Sequence, residues 1–183
     1  MKIIMCYGDS NTWGQGESEF DRLDQRWTRL LSTNFEIIEE GLCRRTAGNL
    51  EIGDMGYING LNHFEAILMS HRPLNVVIIA LGTNDFKDKF EQTGSDIAKN
   101  LLKYNEIVKS RLSNVRVIYL TPPKINALYF ANSNQKNTDL LNELKKANME
   151  VVDMTNLQVL STDGVHLNTQ NHLEISKILQ EII

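Results

Sequence analysis

Cysteine is almost missing from this chain: Cys6 and Cys43 are the only two. Two cannot make a disulfide framework, so a reducing cytoplasm is the expected compartment. Long apolar runs are missing too. None approaches the roughly 20 residues needed to cross a bilayer, and the opening stretch Lys2 to Tyr7 is too short for a signal peptide's apolar region. No Lys/Arg run forms a basic stripe, and the net charge of −4 argues against non-specific nucleic-acid binding. Internal repeats, low-complexity stretches and linkers are likewise lacking, which leaves one domain over residues 1–183.

What is present is ordinary for a soluble globular protein: 42% hydrophobic and 23% charged residues, enough for one sizeable core. Short apolar runs predict strands at about 2–7, 35–39, 74–81, 115–120 and 149–153. Their β-branched content, as in Ile37-Ile38 and Val76-Val77-Ile78-Ile79, suits strands buried on both faces. Helical spacing predicts helices over about 22–33, 60–71, 95–112, 135–147 and 169–182, the last capped by Asn168 or Thr169. Alternating strands and helices imply right-handed crossovers, hence an α/β fold with a mostly parallel five-stranded sheet between helical layers.

Three motifs fall where such a sheet forms its sites, beyond the carboxyl ends of strands. Gly8-Asp9-Ser10 follows the first apolar run and Gly82-Thr83-Asn84-Asp85 the third, while Asp163-Gly164-Val165-His166 precedes the last helix. The turn 41–46, after the second strand, shares that rim. A serine hydroxyl is a weak nucleophile until a base takes its proton. His166 is the candidate base, and Asp163 can orient the ring and stabilise its charged form. Attack on a carbonyl places charge on oxygen and demands N–H donors. The Asn84 amide and backbone N–H groups of Ser10 and the 41–46 turn can supply them. The order Ser, Asp, His is that of α/β-hydrolases, but no G-x-S-x-G elbow surrounds Ser10, which disfavours that fold.

With these residues in hand, the chain resembles the SGNH (GDSL) hydrolase superfamily over essentially its whole length. The first block looks like Gly8-Asp9-Ser10-Asn11-Thr12, the third like Gly82-Thr83-Asn84-Asp85 and the fifth like Asp163-Gly164-Val165-His166. Trp13-Gly14, Arg26-Trp27, Glu39 to Leu42 and Arg45-Thr46 are similar to the arylesterase and acyltransferase branch. The resemblance implies a flavodoxin-like three-layer α/β/α fold and a serine esterase mechanism with no metal or cofactor. Ser10, Asp163 and His166 are then catalytic, with Ser10, Arg44 and Asn84 around the oxyanion. One departure stands out. The family's second-block glycine falls on Arg44, or on Cys43 or Arg45 if the register slips by one; a backbone donor survives any side chain but proline.

Blander readings compete at each position. Ser10 and Asp85 are also good turn and cap residues, and Asp163 with His166 also reads as a pair of metal ligands, although no third ligand at convincing spacing completes that site. Trp13, Cys43, Phe86 and Val165 are candidate pocket walls, Trp13 and Cys43 also being plausible packed residues. Arg45 is expected to anchor a loop, and His63, His71 and His172 to lie on surfaces or helix ends. The stretch Pro122 to Gln135, with its apolar Ala127 to Ala131, is expected to overhang the rim as substrate wall, subunit contact or both. Its rival is a short helix packed on the core. The function expected is hydrolysis of small carboxylic esters (short-acyl, aryl or sugar acetate) through an acyl-enzyme, with acyl transfer to alcohols as an extension and a homo-oligomer as the assembly. Alternatives are an acyl-thioesterase with the same triad, a metal-assisted hydrolase, and a flavodoxin-like binding module without turnover.

Overall fold

Each stretch rich in β-branched residues is a strand: β1 (Ile3–Gly8), β2 (Glu36–Gly41), β3 (Val76–Ala80), β4 (Arg116–Leu120) and β5 (Glu150–Val152). The computed structural model describes residues 1–183 apart from 17, 19, 49, 51 and 52. The strands pair in parallel in the order β2-β1-β3-β4-β5, the flavodoxin-like arrangement. Helices α1 (Ser10–Trp13), α2 (Trp27–Leu31), α3 (Gly60–Ser70), α4 (Gly94–Arg111), α5 (Ser133–Lys146) and α6 (Thr169–Ile182) connect them, with 3-10 turns over Gly53–Ile58, Asn84–Phe86 and Asp88–Phe90.

Side chains alternate across each strand, so one sheet makes two cores. Met5, Tyr7, Val77, Ile79, Val117 and Tyr119 pack with Phe64 of α3, Leu101 and Tyr104 of α4 and Leu140 of α5. Ile4, Cys6, Val76, Ile78, Ile118 and Leu120 pack on the other face with Trp27 and Leu31 of α2 and with Ile175 and Leu179 of α6. Full burial of each large apolar side chain contributes about 1.5–3 kcal/mol, and this double-sided burial holds the layers together.

The chain runs from β1 to β2 on one side, then crosses to β3 on the other. The strand order therefore reverses beside β1, and a crevice opens there. Gly8, Gly41 and Ala80 lie in register at the ends of the three strands. Gly41 is required at this rim: a Cβ there would sit 2.3 Å from the Trp13 nitrogen, so only glycine lets α1 lie against β2.

One expected helix and one rival reading, the short helix after Pro123, fail for identifiable reasons. Of the helix predicted over 22–33, only Trp27–Leu31 forms. Arg26 is extended (φ −74°, ψ 152°) and grips Glu39 of β2 with two hydrogen bonds of 2.7 and 2.6 Å. A bidentate ion pair, with the Thr28 hydroxyl donating to the same carboxylate, outweighs weak local helix propensity. The segment after Pro122-Pro123 contains no helix before Ser133. It runs as a strap, with Lys124 N donating to Leu157 O at 2.9 Å and Asn126 N to Gly164 O at 3.0 Å. Ile125 is buried beneath it, whereas Leu128 and Tyr129 are 82% and 78% exposed.

Candidate active site

Asp9 closes β1 and caps α1 by accepting the Asn11 N–H at 2.9 Å. Gly14, in the left-handed region at φ 87°, ends the helix after one turn. This short turn lifts the Ser10 side chain to the crevice, and Ser10 itself is only 4% exposed. Among the described residues no acceptor takes the Ser10 N–H.

Opposite Ser10 stands the loop between β5 and α6. Asp163 accepts from Val165 N at 2.8 Å, His166 N at 2.9 Å and Ser161 Oγ at 2.8 Å. Its second oxygen lies 2.5 Å from His166 Nδ1. A carboxylate only accepts, so Nδ1 carries the proton and Nε2 is left as an acceptor. Nε2 is 3.1 Å from Ser10 Oγ, across 156 sequence positions. Burial alone would raise the Asp163 pKa, but the backbone donors of His166 and Val165 and the side chains of His166 and Ser161 outweigh it and bring it down to about 2. The carboxylate thus stays ionised through the neutral range.

Asn11 joins the two halves. Its Oδ1 accepts from Leu167 N at 2.9 Å and its Nδ2 donates to Val165 O at 3.3 Å, while Trp27 Nε1 donates to its carbonyl at 3.2 Å. Sequence reasoning passed over Asn11 as a mere neighbour of Ser10. Gly164 is equally specific: its φ is 69°, and a Cβ there would lie 2.0 Å from Asn126 O.

The third wall comes from the turns after β2 and β3. Arg45 points inward, donating to Gly8 O at 2.9 Å and to Glu40 O, with its guanidinium 4.0 Å from the Tyr7 ring centroid. That is the loop anchor expected of it. Arg44 adopts φ 70°, a left-handed conformation that favours glycine, and so accounts physically for a glycine at this place in the family it resembles. Asp85 is buried and receives the Ala47 N–H on both oxygens (3.1 and 2.9 Å), so it braces the neighbouring turn rather than merely capping its own. Burial raises its pKa to about 7, against the backbone bonds of Ala47 and Gly48. Asn84 Nδ2 donates to Arg45 O at 3.1 Å, and its Oδ1 accepts from Lys87 Nζ at 2.8 Å.

These groups border an open cleft of about 480 Å³. Ser10, Arg44, Asn84, Asp163 and His166 line it, as do the predicted wall residues Cys43 and Val165. Gln15, Phe20, Tyr57, Lys87 and Phe130 line it as well; of these only Phe130 stood out in the sequence, because sequence distance does not report which loops share a rim. Two predicted wall residues are corrected. Phe86 is fully buried in the core under α3, α4 and α5, since its 3-10 turn points it into the sheet. Trp13 is outside the lining: Arg22 stacks 5.3 Å from its ring centroid and donates to its carbonyl at 2.8 Å, which claims the indole for packing. A third correction concerns His172, expected on a surface or at a helix end: it lies in the first turn of α6 but is 0% exposed, accepting from Trp27 N at 3.2 Å. Burial pushes the Cys43 thiol up, which disfavours a reactive thiolate. Among the described residues, no three His, Cys, Asp or Glu side chains cluster closely enough to hold a metal ion.

The arrangement joins a hydroxyl, an imidazole and a carboxylate in one hydrogen-bonded line beside amide donors, which is the equipment of acyl transfer. The comparisons agree with that chemistry. The model of the GDSL-like lipase/acylhydrolase family matches residues 6–174. No curated protein matches the chain. Among solved structures, an aryl esterase of M. smegmatis is 28% identical, each chain being covered in full, with a TM-score of 0.85. A carbohydrate acetylesterase from Sinorhizobium meliloti is 26% identical, again with full coverage of both chains and a TM-score of 0.85. A member of the lipolytic G-D-S-L family from Veillonella parvula, 16% identical, covers 100% of this chain and 98% of its own with a TM-score of 0.71, and shares the fold.

Proposed function

The chain belongs to the GDSL-like lipase/acylhydrolase family, and on that footing we propose that it is a carboxylic ester hydrolase working through an acyl-enzyme on Ser10. The observation that carries the reading is the unbroken line from Asp163 through His166 to Ser10, at 2.5 and 3.1 Å. Ser10 Oγ attacks the ester carbonyl while His166 Nε2 takes its proton. Asp163 holds the ring and balances the imidazolium. The N–H groups of Ser10 and Arg44 and the Asn84 amide receive the oxyanion. Collapse expels the alcohol, whose oxygen takes the proton from His166. Water then gives a proton to His166 and attacks the acyl carbon, releasing the acid and restoring the Ser10 hydroxyl.

The substrate class is small esters with short acyl groups, aryl and sugar acetates foremost. An open cleft of about 480 Å³ suits such molecules, and the similar proteins bear the names aryl esterase and carbohydrate acetylesterase. Where an alcohol takes the place of water, the same acyl-enzyme transfers its acyl group. Assays of aryl acetates, acetylated sugars and acyl-thioesters side by side will rank these classes. One domain over residues 1–183 suffices for the reaction. Both cysteines are free thiols, in keeping with a cytoplasmic home, and the exposed Leu128 and Tyr129 offer a surface for a homo-oligomer.

The test is a pre-steady-state assay with p-nitrophenyl acetate. A burst of nitrophenol stoichiometric with enzyme is expected, and Ser10→Ala should lower kcat by roughly 10⁴- to 10⁶-fold. A fall of less than tenfold in a folded Ser10→Ala protein refutes the reading.

A further inference from the structure

We propose that Lys87 is a positioning residue for the oxyanion: its ammonium fixes and polarises the Asn84 amide and supplies the lasting positive charge behind it. This rests on the reading of the site given above and goes one step further into it. Lys87 follows the 3-10 turn Asn84–Phe86, and its backbone N–H closes that turn on Asn84 O. The spacing of three folds the side chain back over Asn84, where Nζ donates to Oδ1 at 2.8 Å. On the other side of the amide, Nδ2 donates to Arg45 O at 3.1 Å.

An ammonium only donates and a carbonyl only accepts, so the two neighbours together forbid the flipped amide. A flip would set Oδ1 against the Arg45 carbonyl and NH₂ against NH₃⁺. Nδ2 is therefore held toward the cleft with its second hydrogen unclaimed by Arg45. The bond from Lys87 also draws electrons along the amide and makes that N–H a stronger donor.

Charge balance supports the same assignment. Lys87 is half-buried in the cleft wall, and among the described residues no carboxylate lies within ion-pair distance of its amine. Burial lowers its pKa below the ordinary lysine value; Lys89 and Arg44 act in the same direction, while buried Asp9 and Asp85 oppose them. An ammonium kept in a partly desolvated wall, with no close carboxylate among the described residues, is matched when negative charge arrives at Asn84, as it does when the tetrahedral intermediate forms. Such a device strengthens binding of the transition state more than that of a neutral ester.

The experiment compares Lys87→Met and Lys87→Arg with the unaltered chain, using a neutral aryl acetate, with folding followed by circular dichroism. Lys87→Met should lower kcat by roughly ten- to a hundredfold, somewhat less than loss of a direct oxyanion donor, with KM within about threefold. Lys87→Arg should recover most of kcat and displace the alkaline limb of the pH profile upward. Binding of an aryl boronic acid, whose adduct on Ser10 is tetrahedral and anionic, should weaken in Lys87→Met in parallel with kcat. The proposal is overturned if kcat stays within threefold, if the loss lies wholly in KM as for a contact with substrate, or if arginine does no better than methionine. Ser10→Ala separates the two failures. If that variant is inactive while Lys87→Met is unimpaired, this assignment alone falls; if Ser10→Ala keeps activity, the esterase reading falls with it.

Discussion

His172 shows how burial turns a single side chain into a pH-dependent liability. Its ring is enclosed between α6 and the start of α2, and burial first, with Arg26 nearby, pushes its pKa down to about 4. A folded-state value below the ordinary 6.5 means that protons favour the unfolded chain. The stability held by neutral His172 is complete above pH 6.5 and is lost as the pH falls through about 4. The difference corresponds to roughly 3 kcal/mol. Urea unfolding between pH 4 and pH 7 should therefore show the unaltered protein losing about that much more than His172→Gln, which never ionises; parallel curves would dismiss the effect. The sequence hid this residue because a histidine within an amphipathic helix has no fixed face until the helix docks. Ser10, Asn84, Asp163 and His166 were legible as candidates for the opposite reason, each lying in a short motif just after β1, just after β3 or just before α6. Trp13 and Phe86 misled because nearness to such a motif says nothing about which way a side chain points. Arg44 carries a left-handed backbone that sequence alone could signal only through the glycine expected in its place.

At the level of elements, the strands were legible because runs such as Val76-Val77-Ile78-Ile79 suit only a sheet buried on both faces. The turns were not: Asn84–Phe86, Asp88–Phe90 and the one-turn α1 are too short for any periodicity to register. The helix expected at 22–33 lost its first half to the Arg26–Glu39 pair, a tertiary contact invisible in local pattern. The strap after Pro122 was legible as something other than a strand, but not its attachment. That attachment is Gly164, whose Cα lies against the Asn126 carbonyl of the strap and whose own carbonyl accepts from Asn126 N. Gly164→Ala would force a Cβ against the Asn126 carbonyl at a backbone angle that disfavours it, and should cost about 2 kcal/mol or more. Because Asp163, Val165 and His166 share this loop, kcat should drop at least tenfold while KM changes little. A variant with native melting temperature and native kcat would show the contact to be slack.

For the whole molecule, the question is what the strap does beyond the fold. Leu128 and Tyr129 stand out into solvent at 82% and 78% exposure, whereas Phe130 turns into the cleft. On the proposed reading the two neighbours serve different scales: Leu128→Ser should reduce the assembled mass measured by sedimentation, and Phe130→Ser should change the ratio of kcat/KM for aryl and sugar acetates. If both quantities stay as they were, the strap is neither subunit contact nor substrate wall. The 156 positions between Ser10 and His166 also have a consequence in time. During synthesis the ribosome releases the serine first and the histidine only after most of the chain has followed, a delay of roughly ten to thirty seconds at ordinary elongation speeds. On the proposed mechanism the nascent polypeptide bears an inert alcohol throughout that interval, and it becomes reactive only once its C-terminal portion has emerged and docked.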